Sequence, residues 1–439
     1  MGLFARTEID GGVLGQPFGQ GSGRRLGRAN DEKVRLANRY LPAIAACPGF
    51  RSWFSQSRSG RVPLMSGRVI DNLEAVSPRR VVHALRTLDP AGGGVVTYVQ
   101  HLRRSLAERS VELHCEAVFP SSRHWRVLAL RWPWLFRARI RARLDGADLL
   151  HVHGVFGWHV LLGVMAARRA KCPYVVTLHG HLHPDALRER RLAKWLCLSL
   201  FGRRVLEDAA AVTVTAEEEA HCLRLHAPAA HVAEVLPGLD VPASEPPPPE
   251  RPIADTSCLR LLYLGRLHPH KGVHRLVQAL AALSRRGVSV HLTVAGSGLR
   301  HYRWWLHRLV AWHGLGSRVM FMGHVDADER AALWNTADAL ALPSRSENFG
   351  FAVAEAMAMG RPVIVSKNVG LASLVSAKES GLVVDARDSV ALQAAFMALA
   401  DPERRQRYGR NAYQAARQAL SLQTMGDAHW QLYERSGAP

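Results

Sequence analysis

Two doubly wound, Rossmann-like α/β domains in series are predicted from three observations on the sequence. From Arg79 onward, short apolar runs rich in valine, leucine and alanine alternate with helical periodicity. A proline-rich segment with Pro246-Pro247-Pro248-Pro249 at its centre interrupts that alternation near the middle of the chain. After Ser389 only helical patterning remains. Alternating strands and helices are the mark of a parallel sheet covered on both faces. A proline run is extended and poor in donors, so it reads as a linker. The expected organisation is a basic extension over 1–78, a first domain over 79–242 and a linker over 243–257. A second domain over 258–400 and C-terminal helices over 401–439, able to cross back to the first domain, complete it.

At 439 residues the chain is long enough for two well-formed cores, and 48% apolar content is ordinary for a globular protein. The net charge of +20 is not ordinary. It fits nucleic acid, an anionic membrane face or a phosphorylated small molecule as partner. Six cysteines (Cys47, Cys115, Cys172, Cys197, Cys222, Cys258) form no CxxC pair, which argues for reduced thiols over a zinc site or a disulfide framework. No uninterrupted apolar run reaches the roughly 18–20 residues that span a bilayer, and the N-terminus lacks a signal-peptide core. A soluble, cytoplasmic protein is expected.

Taken in order, residues 1–78 carry Gly11-Gly12, Gly15, Gly19, Gly21 and Gly23 among polar and basic residues, with a helical stretch near Asp31–Ile44. Such composition predicts disorder. Val81–Leu85 is a buried-type strand, followed by the loop Gly92-Gly93-Gly94 and a helix from about Val95 to Glu108. Further strands fall at Val111–Phe119, Asp148–His153, Tyr174–His179 and Ala211–Thr215, with a small-residue helix around Leu161–Arg169. Ala216-Glu217-Glu218-Glu219 opens a helix with acids where the macrodipole favours them. The second domain has strands at Leu259–Leu264, Val288–Ala295, Val319–Met322, Ala339–Leu342 and Val363–Val365, with a short last one at Gly381–Asp385.

Pro343 to Gly360 is the most informative stretch. A strand runs into a polar turn carrying Glu347, and a helix from about Gly350 to Met359 carries Glu355 and stops at Gly360. This places a helix N-terminus at the carboxyl edge of a sheet, where anions and ligands of open α/β folds bind. Gly265-Arg266-Leu267-His268-Pro269-His270-Lys271-Gly272 ends the second domain's first strand. There Arg266, a planar fork, and Lys271, a compact point charge, can clamp a diphosphate. On an arbitrary loop they would be solvated basic residues. A carboxylate beside a diphosphate would be repelled unless it contacts something else, so Glu347 and Glu355 read as binders of hydroxyl groups. Glu355 would take a ribose, and Glu347 a sugar or the positive charge at an anomeric carbon. The bland alternative is a helix-entry acid and a solvent-facing one.

Ala295-Gly296-Ser297-Gly298 ends the next strand, but His301 stands where a dinucleotide fingerprint needs its third glycine. No acid is placed for an NAD ribose, which argues against a dehydrogenase. In the first domain Gly92-Gly93-Gly94 lets backbone N–H groups approach a ligand, and His179-Gly180 points a histidine into the same cleft. His151, His153, His181 and His183 do not match a zinc spacing, and no metal is expected. Asp326-Ala327-Asp328 resembles a cation-holding pair but precedes a helix at Glu329–Thr336, where an N-cap is the expected role.

Together these residues resemble the family 4 retaining glycosyltransferases, the large group related to glycogen and sucrose synthases. The likeness spans about residues 80–435. It rests first on Glu347 and Glu355, embedded in Pro-Ser-x-x-Glu-x-Phe-Gly and Glu-Ala-x-Ala-x-Gly-x-Pro-Val-Ile. Gly265-Arg266 with Lys271-Gly272, Gly92-Gly93-Gly94 and Leu149-His151-His153 support it. The resemblance implies the two-domain glycosyltransferase B fold with a site in the central cleft, and departure of a nucleoside diphosphate with retention of anomeric configuration. It implies that Arg266 and Lys271 grip the donor diphosphate, that Glu355 holds the ribose and Glu347 the transferred sugar. Backbone groups of Phe349, Gly350 and Phe351 would meet the distal phosphate, with Gly265 and Gly296 also on the donor side. His179 would approach the sugar, and Gly93 would lie near acceptor and phosphate. No cofactor and no metal are implied. The family's Pro-Asn-Gly-Val-Asp turn stands shortened here as Leu236-Pro237-Gly238-Leu239-Asp240.

Two basic stretches remain. Arg123-His124-Trp125-Arg126 through Arg143 holds seven arginines with Trp125, Trp132 and Trp134, and Ala186–Arg204 adds Arg188, Arg190, Arg191, Lys194, Trp195, Arg203 and Arg204. Tryptophan beside arginine suits contact with anionic lipid, whereas no nucleic-acid recognition motif is present. The expected partners are a nucleoside-diphosphate sugar, a sugar or lipid-linked sugar acceptor, and the anionic inner face of the cell membrane. The competing readings are an epimerase or phosphorylase of the same fold and a non-catalytic nucleotide-binding protein. A phosphorylase would need a late cofactor-binding lysine, for which no good candidate is found.

Overall fold

The computed structural model describes residues 80–89, 93–109, 111–119, 132–249 and 258–437. The expectations for the 1–78 extension, Gly92 and the stretch from Arg123 to Arg131 lie outside the described residues. Two six-stranded parallel sheets form the molecule, one from each half of the sequence.

In the first, β1 (Arg80–Thr87) is followed by α1 (Gly94–Ser105), β2 (Glu112–Phe119), α2 (Trp132–Leu144), β3 (Leu149–His153) and α3 (Trp158–Ala170). Next come β4 (Tyr174–Thr177), the short helices α4 (Pro184–Arg188), α5 (Arg191–Cys197) and α6 (Arg203–Glu207), β5 (Ala211–Val214), α7 (Glu217–His226) and β6 (Val232–Glu234). The spatial order is β2-β1-β3-β4-β5-β6. β3, β4 and β5 are buried along their whole length, as strands covered on both faces must be.

The second sheet uses β7 (Leu259–Leu264), α8 (Val273–Arg285), β8 (Val290–Ala295), α9 (Arg300–Trp312), β9 (Val319–Gly323) and α10 (Ala327–Thr336). β10 (Ala339–Leu342), α11 (Phe351–Ala358), β11 (Val363–Ser366), α12 (Ala372–Ala377), β12 (Gly381–Val384) and α13 (Ser389–Ala400) complete it, in the order β12-β11-β10-β7-β8-β9.

These orders decide where a ligand can sit. In the first sheet the chain leaves β1 for β2 and returns to β3 on β1's other side; in the second it leaves β7 for β8 and β9 and returns to β10 beside β7. The loops after β1 and β3, and after β7 and β10, therefore diverge at their carboxyl ends and open a crevice at each reversal. Gly93, the Gly265–Gly272 loop and the Glu347 turn are all on such loops.

The chain crosses between the halves twice. The segment after β6 carries it forward, and after α14 (Pro402–Ala419) the helix α15 (Leu422–Gly437) brings it back. The crossings are joined: Leu239 N donates to Leu420 O (2.8 Å) and Leu422 N to Leu239 O (3.1 Å). α15 then packs on α1 and β3, burying Met425, His429 and Tyr433 in the first half's core. Full burial of a large side chain stabilises by about 1.5–3 kcal/mol. The shortened Leu236–Asp240 turn lies at this crossing, where Gly238 O meets His101 Nδ1 (2.6 Å) and Asp240 pairs with Arg104 (2.5 and 2.9 Å).

Candidate active site

The turn after β10 is pinned from below. Glu347 N donates to Asn368 O (3.0 Å) and Gly370 N to Glu347 O (2.9 Å), so the Glu347 backbone is held by the loop after β11. Its carboxylate pairs with the Lys271 ammonium, which comes from the loop after β7. Lys271 is only 11% exposed at its side chain and Glu347 24%. The two residues singled out for a diphosphate and for a sugar thus neutralise each other across the second sheet's reversal. Arg266, on the same loop as Lys271, is exposed and forms no ion pair with a described residue.

Gly350 caps α11 with φ +96° and no side chain covers its first N–H groups. A positive φ at this position costs a glycine little. Phe349 is buried and its ring packs edge-on against Phe351 at 5.0 Å between centroids. Phe351 in turn approaches the first half: its ring is 6.1 Å from that of His101, and a Cβ on Gly94 would lie 3.6 Å from it. The glycine loop after β1 and the N-terminus of α11 therefore face each other, with open space at Gly93.

Gly296 has a different explanation from ligand approach. A Cβ there would stand 1.9 Å from Gly265 O, so its missing side chain is required where the loops after β7 and β8 cross. Gly265 N donates to Ala295 O (3.0 Å), and Tyr263 Oη holds Arg266 O (2.8 Å).

Glu355, on α11, is not solvent-facing. Arg330 Nη1 of α10 donates to its Oε1 at 3.2 Å, while Oε2 is sealed with no protein partner. Burial, opposed by Arg330, pushes this carboxyl above the usual range. Asp326 is spent otherwise: it accepts from Glu329 N and Glu329 Oε2 accepts from Asp326 N, both at 2.9 Å, a full capping box on α10. The N-cap expectation is the one the structure bears out.

On the first half's side, β4 ends at Thr177, earlier than the expected His179. His179 instead occupies a left-handed turn with φ +53°, held by the buried Glu219 carboxylate. Glu219 accepts from Gly180 N (2.5 Å) and from Thr215 N (2.8 Å). Read from sequence as a first-turn acid, Glu219 acts as the clamp on the His179 turn. A signal was present in Thr215 four residues before Glu219, the spacing of a local side-chain to backbone bond. A Cβ on Gly180 would meet Asn348 Oδ1 at 2.9 Å, and Asn348 Nδ2 donates to Thr215 Oγ1 (3.1 Å). The structure thus seats the His179–Gly180 turn against the residue that follows Glu347. Ser346 with His183 (3.2 Å) and Arg345 with Asp185 (3.5 Å) add contacts across the cleft.

His179 is not a free imidazole. Its Nε2 shares a hydrogen bond with His153 Nδ1 (3.0 Å), and burial with the neighbouring rings drives its pKa down to about 3. His83, His151 and His153 offer ring nitrogens within 4.8 Å of one another, a different set from the one read off the sequence. His151 spends both nitrogens, on Tyr433 Oη and Thr177 Oγ1 at 2.7 Å each. His153 spends both as well, on His83 and His179. A metal there would have to break these bonds.

Residues 79–238 match the family described as Glycosyl transferase 4-like domain, and residues 253–415 the one described as Glycosyl transferases group 1. A glycogen synthase of Mycobacterium tuberculosis is 31% identical over 314 residues, covering 68% of this chain and 73% of the relative. The chain belongs to the group 1 glycosyltransferases. Among solved structures it is similar to a sucrose-phosphate synthase of Thermosynechococcus elongatus, with TM-score 0.66 at 23% identity over 81% of this chain and 98% of that one. It also matches Anabaena HepE in complex with UDP-glucose, with TM-score 0.61 at 20% identity over 80% and 98%. Two parallel sheets, a cleft between them and returning C-terminal helices make this the glycosyltransferase B fold. No helix among the described residues is long and apolar enough to cross a membrane.

Proposed function

We propose that this glycosyltransferase moves a sugar from a nucleoside-diphosphate sugar to an acceptor hydroxyl with retention of anomeric configuration and without a resident metal. The observation that carries the reading is the Lys271–Glu347 pair at the foot of α11, within contact of the His179 turn through Asn348. A UDP-glucose complex is known for HepE, a neighbour of the same fold. Lys271 and Glu347 neutralise each other. An incoming diphosphate takes Lys271 and the free Arg266 as its cations and the uncapped N–H groups of α11 as donors. Glu347, released from Lys271, turns to the sugar hydroxyls. Glu355 is assigned the ribose.

The anomeric carbon–oxygen bond then breaks and its electron pair goes to the diphosphate. The acceptor oxygen bonds that carbon on the same face, and its proton passes to the departing phosphate oxygen. Rate enhancement comes from fixed positive charge aimed at the leaving group and from orientation. Asp326 holds a helix end rather than a cation, so the positive charge is assigned to Lys271, Arg266 and α11.

The acceptor side is assigned to polysaccharide or glycolipid assembly at the inner membrane face. Supporting it, Trp195 (60% exposed) and Leu192 (56%) stand out of α5 between Arg190, Arg191 and Lys194. Against the full count of charge, Arg139 and Arg143 of α2 are spent on Glu116. Co-sedimentation with anionic liposomes at low salt is the expected result; none would remove the membrane assignment.

Donor hydrolysis screened across uridine, guanosine and adenosine diphosphate sugars tests the chemistry. The expected outcome is release of diphosphate from one donor class, with an α-donor giving an α-linked product by proton NMR. A β-linked product would overturn retention, inversion at a ring carbon would favour an epimerase, and binding without turnover a nucleotide-binding protein.

A further inference from the structure

Beneath His179 the first half buries a row of imidazoles that leads into the cleft. His83 on β1 meets His153 on β3 through Nδ1 and Nε2 at 2.9 Å, and His153 Nδ1 meets His179 Nε2 at 3.0 Å. The ring planes lie within 18° and 26° of each other, with centroids 5.1 and 5.3 Å apart. His83 and His153 are 1% and 3% exposed, whereas His179 is half-buried. The two ends of the row differ. Among the described residues His83 Nε2 is sealed with no partner, and His179 Nδ1 is open with none.

Three neutral imidazoles carry one N–H each, and each shared contact needs one proton between two nitrogens. With both contacts formed, only two arrangements exist. In one, every ring is protonated at Nε2, and the sealed end is then an orphan N–H at His83. In the other, every ring is protonated at Nδ1, and the sealed end is only an unfilled lone pair. Orphaned buried N–H groups are rarer than under-satisfied acceptors, so the second arrangement is the stable one. A charged ring would satisfy both neighbours of His153, but burial and the surrounding histidines hold it neutral.

We propose that His83 and His153 are positioning residues which fix His179 in the Nδ1–H tautomer, so that it faces the cleft as a hydrogen-bond donor. The inference rests on the reading above that His179 meets the bound donor. Its chemical consequence is specific. His179 donates to an electron-rich oxygen of the sugar or phosphate and has no lone pair in the cleft with which to take the acceptor's proton. That proton then leaves with the diphosphate. The row also assigns a role to His83, which neither charge nor spacing marks out and which stands two strands away from the loop it serves.

The decisive measurement is the two-bond proton–nitrogen correlation of the histidine rings in the full-length, ligand-free protein at neutral pH. The His179 signals are assigned by their loss in His179→Ala. The expected pattern is a protonated Nδ1 and a bare Nε2 at His179; a protonated Nε2 would overturn the proposal, whether or not any donor is turned over. Kinetics provide the second arm. His83→Leu removes the donor from the end of the row and should cut turnover of the donor roughly tenfold to a hundredfold, as loss of an outer partner of a working histidine does, with KM unchanged. His83→Asn, whose amide nitrogen replaces Nδ1, should restore most of it. Equal losses in both variants, or none in either, would show a packing role and overturn the assignment. Should His83→Leu fail to fold, the tautomer of the unaltered protein still decides.

Discussion

On the second half's side of the cleft the polar groups are ionised and paired: Lys271 with Glu347, Arg330 with Glu355. On the first half's side they are neutral rings joined edge to edge, His83, His153 and His179, with His151, His429, Tyr98 and Tyr433 packed around them. The difference follows from where each set sits. Lys271 and Glu347 are on loops at the sheet's edge, where water and then a ligand can share the cost of burying charge, and Arg330 and Glu355 stand on the helices α10 and α11. His83 and His153 stand on strands inside the core, where a charge would be unsupported, and His179 on the turn that closes over them. One side is built to exchange partners with an anion, the other to hold a fixed hydrogen-bond direction.

Lys271→Ala strikes the charged side hardest. It removes a cation from the diphosphate and leaves Glu347 unpaired, so turnover should fall by about a hundredfold or more, equivalent to ~2.7 kcal/mol. Arg266→Ala should follow with a comparable loss and an unchanged melting temperature, because Arg266 is exposed and pairs with no described carboxylate. Steady-state rates beside circular-dichroism melts check both, and full activity in either variant breaks the assignment of this side.

Acid should strike the neutral side. His83 and His179 are held down to about 3, and His159, His181 and His429 to about 4, burial being the largest cause each time. Unfolded histidines titrate near ~6.5. Between that value and the folded ones the unfolded chain binds more protons, so stability is on its plateau above pH ~6.5 and falls as pH drops. The slope is about 1.4 kcal/mol per pH unit for each such histidine. Thermal melts at pH 7.5 and 5 should show a marked loss, and an unchanged melting temperature would mean that the rings are not neutral.

Glu355→Gln sharpens the contrast, because burial raises the pKa of Glu355. Its folded pKa is raised by burial, so ionisation costs stability at every pH above the unfolded carboxyl value. The amide should therefore melt no lower, and measurably higher, at pH 7, while KM for the donor rises roughly tenfold through the lost ribose contact. Asp326→Ala is the smallest expected effect: about 1 kcal/mol of stability from the lost cap, with turnover unchanged. A large loss of rate there would restore the cation-holding reading.

The same division explains what the sequence makes legible. The alternation of strands and helices, the reversal loops and the residues Arg266, Lys271, Glu347 and Glu355 are local: each sits in a run whose type and spacing carry the argument. Partners are not local. Nothing near Glu355 announces Arg330, 25 residues earlier, and Glu219 looks like any acid in a first helical turn. His83 lies 70 residues from His153, flanked on its strand by Val81-Val82 and Ala84-Leu85, and only the parallel register of β1 on β3, which sets it opposite His151, brings them together. Gly296 reads as a ligand-binding glycine until the Gly265 carbonyl is found against it. The end of β4 was likewise set by a tertiary bond, Glu219 to Gly180, rather than by strand propensity.

The two interdomain crossings, tied together at Leu239 and Ser421, make a hinge of two knuckles on one pin. The Leu420, Leu239 and Leu422 backbone bonds couple the two segments, so a shift of either must break them or carry the other with it. Gly238 lies at the pin, where a Cβ would meet Ser421 O at 2.5 Å. A single methyl group there would force the two crossings apart.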